Sequence, residues 1–459
     1  MLRDSHPVDK LFEQIVVLVP KMDPVLAKID RYLEAEVFFQ LVKNDLAKRY
    51  PLTLRTGRNS TPVEVILRML VVKQLYGYSY EELERAVCDS LVLRQFCRVY
   101  LNTVPDDTTL IRWANLVQSR TLEQFNRRIT EMAVKLKVTQ GRKLRTDGTV
   151  VETHIHPPRD SQMLADSVRV VVRTLERAKK VLIQSGELAQ QTFVDLNKEA
   201  KRVSHQISEA MRKRSDEAKQ AGKEGYRRLI EITQTTLQHA QEALPLLEEQ
   251  ASAQAQKLAA TLNAFMPRAE QVIDQATRRI FKDEKVPATE KIVSIFEPHT
   301  DIIKRGKENH LVEYGHKVWF DEVDGGLISH YRILTGNPSD RDQWLPSLNF
   351  HCEQFGQAPE IASGDRGLYS ASNEAEAIQM GVKQVILPKP GYRSKERKQY
   401  EAQDWFQEGR NWHAGVEGRI SVLKRSHALG RCLNHGLTGF THWIGWGVIS
   451  ANLRVMARA

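Results

Sequence analysis

Apolar residues recur at helical spacing through the first third of the chain. Phe12, Ile15, Val16 and Val19, then Leu33, Val37, Phe38 and Leu41, predict helices in residues 1–58, a leader suited to packing or dimer formation. A second helical stretch covers 59–138. It opens at Ser60-Thr-Pro-Val-Glu, with a hydroxyl cap and an early proline, and runs on as Val65, Leu67, Leu70, Val72 and Leu75. Gly77 can end that helix, and Ser79 with Glu82 forms a capping box for the next. A third helix is expected near Pro105–Ala114, capped by Asp107 or Thr108. Short helices joined by tight turns suit a helix-turn-helix-like DNA-binding module with Arg112 on its last helix. A plain bundle fits the same pattern.

The pattern then changes period. Lys143–Ile155 is dense in Thr, Val and Ile and predicts a strand, with Asp147 in its middle. From 161 to 285 the chain is rich in Ala, Gln, Glu, Lys, Arg and Leu, with no proline between Pro158 and Pro245. Val168, Val171, Leu175, Val181 and Leu182 keep roughly heptad spacing, so two to four long helices are expected there as a coiled or bundled insertion. Gly222, Gly225, Pro245 and Pro267 offer turns. Whether this insertion meets DNA, a second subunit or only itself stays open. Strands return at Lys291–Phe296 and in a hairpin over Lys317–Leu334 that turns at Asp324-Gly325-Gly326. A helix from Arg341 to about Phe355, a strand at Glu360 leading into a Gly-rich loop, a helix at Glu374–Met380, a strand at Lys383–Pro388 and helices over 404–425 and 441–457 complete the chain. The fold class is α/β, with a mixed sheet because a hairpin precedes the crossovers.

Composition narrows the partners. The 459 residues exceed one ordinary core, so two to four domains are expected. A net charge of +10 and a pI near 9.3 favour a polyanion such as nucleic acid over a generic basic surface only slightly. The four cysteines form no CxxC pair, so neither a zinc site nor a disulfide framework is indicated, and a reducing cytoplasm is the natural setting. No apolar run reaches membrane-spanning length and no signal-peptide pattern is present.

Three acids carry the candidate chemistry. Asp147 is mid-strand, where a carboxylate is costly unless it is paired, binds a cation, or faces solvent from an edge. Asp365 ends a later strand in Gly364-Asp365-Arg366-Gly367. Glu417 lies in a helix beside Arg410, His413, Lys424 and Arg425, with Arg410 and Lys424 each two turns from it on one face. Phosphoryl transfer on DNA requires two Mg²⁺ ions roughly 4 Å apart flanking the scissile phosphate, and such ions take carboxylate oxygens. Arg410, His413 and Lys424 would add positive charge for the phosphate backbone. Each acid alone is equally well a surface residue. Lys395, Arg397 and Lys398 beside Tyr392 form a further basic stretch, readable as a DNA track or a solvated loop.

Together these motifs resemble the DDE transposases of bacterial insertion sequences, most closely the ISNCY-type group. Leu75-Tyr-Gly-Tyr-Ser-Tyr-Glu-Glu-Leu-Glu and Val104-Pro-Asp-Asp-Thr-Thr-Leu resemble the N-terminal module. Thr146-Asp147-Gly-Thr-Val-Val-Glu-Thr resembles the first catalytic strand, Gly364-Asp365-Arg-Gly-Leu-Tyr-Ser the second catalytic Asp, and Gly415-Val-Glu417-Gly-Arg-Ile with Leu423-Lys-Arg the catalytic Glu helix. The resemblance implies an RNase H-like catalytic domain in 139–160 and 286–459, interrupted by the 161–285 insertion. It also implies Asp147, Asp365 and Glu417 as catalytic ligands of two Mg²⁺ ions, with Mn²⁺ as a substitute. The implied activity binds terminal inverted repeats, cleaves at the ends of the mobile element and joins 3′-hydroxyls to target double-stranded DNA, as a homodimer or larger assembly associated with the bacterial nucleoid. A related Tyr-x2-Arg-x3-Glu-x6-Lys pattern is kept only at Glu417 and Lys424, since Arg410 and His413 replace its first two members. The rivals are a catalytically silent DNA-binding descendant, a scaffold built on the helical insertion, and a Mg²⁺ nuclease that cuts without joining.

Overall fold

The structure is a computed structural model and describes residues 1–17, 21–184, 194–307 and 310–459; Val19 lies outside them. The chain divides into two compact units. One contains Met1–Thr153 and Ile303–Ala459, the other His154–Ile302.

The first unit is built on one mixed sheet. Its strands are β1 (Lys143–Glu152), β2 (Asp301–Lys307), β3 (His310–Val323), β4 (Leu327–Leu334), β5 (Ile361–Ser363) and β6 (Gln384–Ile386). The order runs β2-β3-β1-β5-β6, and β4 also pairs with β3. β1 is antiparallel to β3 and parallel to β5, β3 is antiparallel to β4, and β5 is parallel to β6. The turn between β3 and β4 falls at Asp324–Gly326, as the sequence predicts, because Gly325 and Gly326 both take positive φ. β1 therefore has partners on both sides over Lys143–Arg145 and is not an edge strand, although at Asp147 itself only β3 is paired. The density of Thr and Val in β1 reflects this position, since most of the strand is buried.

Helices cover both faces of the sheet. Trp344–Phe355 lies on the face of Thr146 and Trp319, where Ser347 Oγ receives the Trp319 indole N–H at 3.1 Å. Asp404–Ser426 lies on the opposite face. The last helix, Gly436–Arg458, is apolar on nearly every side because it is buried on nearly every side. Trp446, Ile449 and Leu453 join a core shared with Leu26 and Phe38 of the leader and Ile66 and Leu70 of the helix Val63–Tyr76. Full burial of such side chains contributes about 1.5–3 kcal/mol each, so the leader and the second helical stretch are held by long-range packing. The capping box at Ser79 and Glu82 forms as expected, while the helix Asp107–Ala114 is capped by Asp106, which accepts from the Thr109 amide at 2.6 Å. The helix Val63–Tyr76 starts without a side-chain cap.

Among the described residues the second unit contains four α-helices, Asp160–Gln184, Asn197–Ala210, Asp216–Glu248 and Ala253–Phe281. Two expectations fail here. Gly222, Gly225, Pro245 and Pro267 lie inside helices and make no turn. The glycines serve close packing: a Cβ at Gly225 would stand 2.7 Å from Ile207 Cγ1, and one at Gly222 3.2 Å from Met211 Sδ. Lys291–Phe296 is not a strand. Gln275 satisfies both the N–H and the C=O of Ile292, at 3.0 and 3.2 Å, so a side chain replaces the ladder while Ile292 and Ile295 enter the helical core. Among the described residues no helix is long and apolar enough to cross a membrane.

Candidate active site

β1 fixes the first acid. Its register with β5 pairs Arg145 with Ser363. Each acid follows this last pair by two positions, Asp147 still within β1 and Asp365 just past the end of β5. Asp147 is half-buried, and its Oδ1 accepts the Gly148 amide at 2.7 Å. Asp365 is exposed as a residue and caps the short turn Arg366–Leu368, accepting the Gly367 and Leu368 amides at 2.9 and 3.2 Å. Partial removal of its carboxyl from water, and then the neighbouring Asp340 carboxylate, hold its pKa above the ordinary value. The two amides and Lys317 oppose this. Lys317 reaches the same corner from β3, bonded to Asp340 and to the Pro338 carbonyl at 3.2 Å.

The helix Asp404–Ser426 carries the third acid and is tied to this part of the sheet by Arg145. The Arg145 guanidinium donates to Glu322 at 2.9 and 2.7 Å, donates to the Trp412 carbonyl, and lies 4.8 Å from the centre of the Trp412 ring. A Cβ on Gly415 would stand 2.6 Å from Arg145 Nη1, so any larger residue there would displace the guanidinium from this position. Arg419 adds a contact to Glu322 at 3.4 Å. At β5, Ser363 Oγ meets the Gly409 carbonyl at 3.5 Å. Glu417 thus sits two residues beyond Gly415 and two before Arg419, on a helix clamped to β1 and β5, and its side chain is exposed.

The candidate cations divide. Arg112 and Arg425 are exposed, while Arg410 and Lys424 are half-buried. His413 is corrected. Burial first, and then the Arg145 charge, lower its pKa from 6.5 to about 4, so it is neutral near pH 7 and adds no positive charge for DNA. Its contact with the Ser363 backbone makes it part of the helix seat. Arg397 is corrected too: it pairs with Glu374 and Glu401 at 2.8 Å and donates to the Leu387 carbonyl, so its charge is spent inside the fold. Tyr392 beside it is 87% exposed.

Sequence reading missed Arg145, Glu322 and Lys317. The available signal was the alternation of β1, which puts Arg145 and Asp147 on one face. As a donor set, three carboxylates suit a hard divalent cation. Their positions do not close on one point in this conformation: among the described residues, no group of three or more His, Cys, Asp or Glu side chains could hold an ion.

Residues 13–116 match a family model described as Transposase domain (DUF772), which covers the leader from Glu13 onward and the helices up to Leu116. No curated protein and no solved structure matches the chain. The match supports a transposase, a DNA-processing enzyme, and it rests on the part of the chain that precedes all three acids.

Proposed function

We propose that this chain is a DDE transposase with an RNase H-like catalytic domain. The observation that carries the proposal is that Asp147 lies on β1 and Asp365 two residues past the end of the adjacent parallel β5, while Arg145 of β1 ties down the helix bearing Glu417. Three antiparallel strands in the order β4-β3-β1, continued by parallel β5 and β6, are the arrangement expected of that domain. Asp147, Asp365 and Glu417 are the residues that would hold two Mg²⁺ ions. When bound, such ions polarise the phosphate and supply an activated water at neutral pH. Glu417 would swing its exposed side chain toward Asp147 to complete the donor set, while Arg145 and Glu322 keep its helix in place. Arg410, Lys424 and Arg425 would grip phosphates on either side of the scissile bond. Arg112, on an exposed face of the transposase-matched region, would contact element-end DNA. Hydrolysis breaks a P–O bond and leaves a 3′-hydroxyl. That hydroxyl then attacks a target phosphate, and the target's own 3′-oxygen leaves.

The test is a strand-transfer assay with Mg²⁺ on DNA carrying the element's ends, using wild type and Asp147→Ala, Asp365→Ala and Glu417→Ala. Joined product in wild type, lost in each variant with end binding retained, supports the proposal. One observation favours a second reading, a catalytically silent DNA-binding descendant: the three carboxylates do not converge in this structure. Wild type that binds ends but neither cuts nor joins would establish that reading instead, and cutting without joining would indicate a nuclease.

A further inference from the structure

The helical unit His154–Ile302 has no part in the chemistry above, yet it contains two adjoining clefts that share Arg159, Ser208 and Arg212. The larger, about 510 Å³, lies along the helices Asp160–Gln184 and Asn197–Ala210. Four cationic side chains line it, Arg159, Arg169, Lys201 and Arg212, against two carboxylates, Asp166 and Glu209. Asp166 is already neutralised by Arg169 at 2.8 Å, and Glu209 lies 3.6 Å from the His205 ring. Arg159, Lys201 and Arg212 are exposed and have no carboxylate partner among the described residues. The smaller cleft, about 280 Å³, is lined by Arg159, Arg212 and Arg279 with Ser161, Ser208 and Tyr226, and by no carboxylate.

Unpaired arginine and lysine beside serine hydroxyls is the donor chemistry of phosphate contacts. Three exposed cations without a carboxylate partner among the described residues thus converge on one groove beside serine hydroxyls, the makings of an anion site. We infer that this groove binds the phosphodiester backbone of duplex DNA, which makes the insertion a second DNA-contacting body of the protein. The inference rests on the proposed function for its choice of DNA. A free oligophosphate would use the same donors, and the experiment separates the two.

The full chain carrying Arg159→Gln, Lys201→Gln and Arg212→Gln together is compared with wild type by fluorescence anisotropy on a duplex, over a series of salt concentrations. All three residues are exposed, so circular dichroism should show an unchanged fold and melting point. Each lost phosphate contact removes about 0.9 from the slope of log affinity against log salt. The triple variant should therefore lose about two to three from the slope and bind at least about tenfold more weakly at low salt. An unchanged slope and affinity would overturn the groove while leaving the transposase reading intact. Wild type that binds no duplex at all would overturn both. In a second arm, tripolyphosphate is titrated into wild type. Binding that duplex DNA fails to displace would assign the groove to a free oligophosphate and overturn the DNA assignment.

Discussion

Removing the Glu322 carboxylate should cost the sheet-bearing unit several kcal/mol. Its side chain is 1% exposed and that of its main partner Arg145 is 11% exposed, so both charges are withdrawn from water. Glu322 accepts two guanidinium hydrogen bonds from Arg145, at 2.9 and 2.7 Å, and a longer contact from Arg419. Glu322→Ala leaves Arg145 buried with only the Trp412 carbonyl as acceptor. Breaking one side of a buried pair typically costs about 3–5 kcal/mol, because the surviving charge is uncompensated. The assay is urea unfolding followed by tryptophan fluorescence. All seven tryptophans lie in Met1–Thr153 or Ile303–Ala459, so the signal reports on this unit alone. The midpoint should fall with an unchanged slope. Arg145→Met combined with Glu322→Leu should recover most of the loss, since an apolar pair of similar volume removes both buried charges. A loss below about 1 kcal/mol for Glu322→Ala, the range of exposed pairs, would refute the claim that this pair clamps the glutamate helix.

Three further outcomes are expected. Gly315→Ala should disrupt the β1–β3 ladder, since its Cβ would collide with the Val151 carbonyl and stand 2.7 Å from Glu152 Cα; insolubility or loss of the cooperative transition would show it, and native melting would contradict it. Gly225→Val should destabilise the helical unit by about 1–3 kcal/mol through overpacking against Ile207, read by circular dichroism at the helix minimum, with no change as the contrary result. His351, His413 and His427 are each lowered from 6.5 to about 4, first by burial. The unfolded chain takes up their protons below pH 6.5 and the folded chain only near 4. Stability is therefore intact above pH 6.5 and falls as pH drops from there toward 4, by at most roughly 3 kcal/mol per histidine. His427→Asn should flatten that fall in melting point, and an identical pH profile would contradict the account.

Much of the fold can be read from local signals. β1 is legible because Thr, Val and Ile crowd around Asp147, and the β3–β4 turn because Asp324-Gly325-Gly326 offers two positions for positive φ. The same reasoning misreads Gly222 and Gly225, since glycine serves a turn and a close helix contact equally well and only the facing Ile207 and Met211 distinguish them. Lys291–Phe296 has a strand's composition, yet the N–H and C=O of Ile292 are satisfied by Gln275, 17 residues earlier in the chain and on a helix. The site divides in the same way. Asp147, Asp365 and Glu417 stand out in sequence, but the clamp that orients the glutamate helix does not. Arg145 and Glu322 are 177 residues apart, and charge pairing across that distance has no local signature. His413 looks cationic on helical spacing and is neutral only because it is buried beside Arg145.

The central claim is that the three carboxylates share bound metal. Replacing Mg²⁺ by Fe²⁺ and generating hydroxyl radicals at the metal with ascorbate and peroxide cuts the polypeptide near its ligands, whether or not DNA is turned over. With element-end DNA bound, the account predicts chain cleavage clustered near residues 147, 365 and 417, suppressed by excess Mg²⁺ and lost in Asp147→Ala. Cleavage elsewhere, or at only one of the three positions, would contradict it.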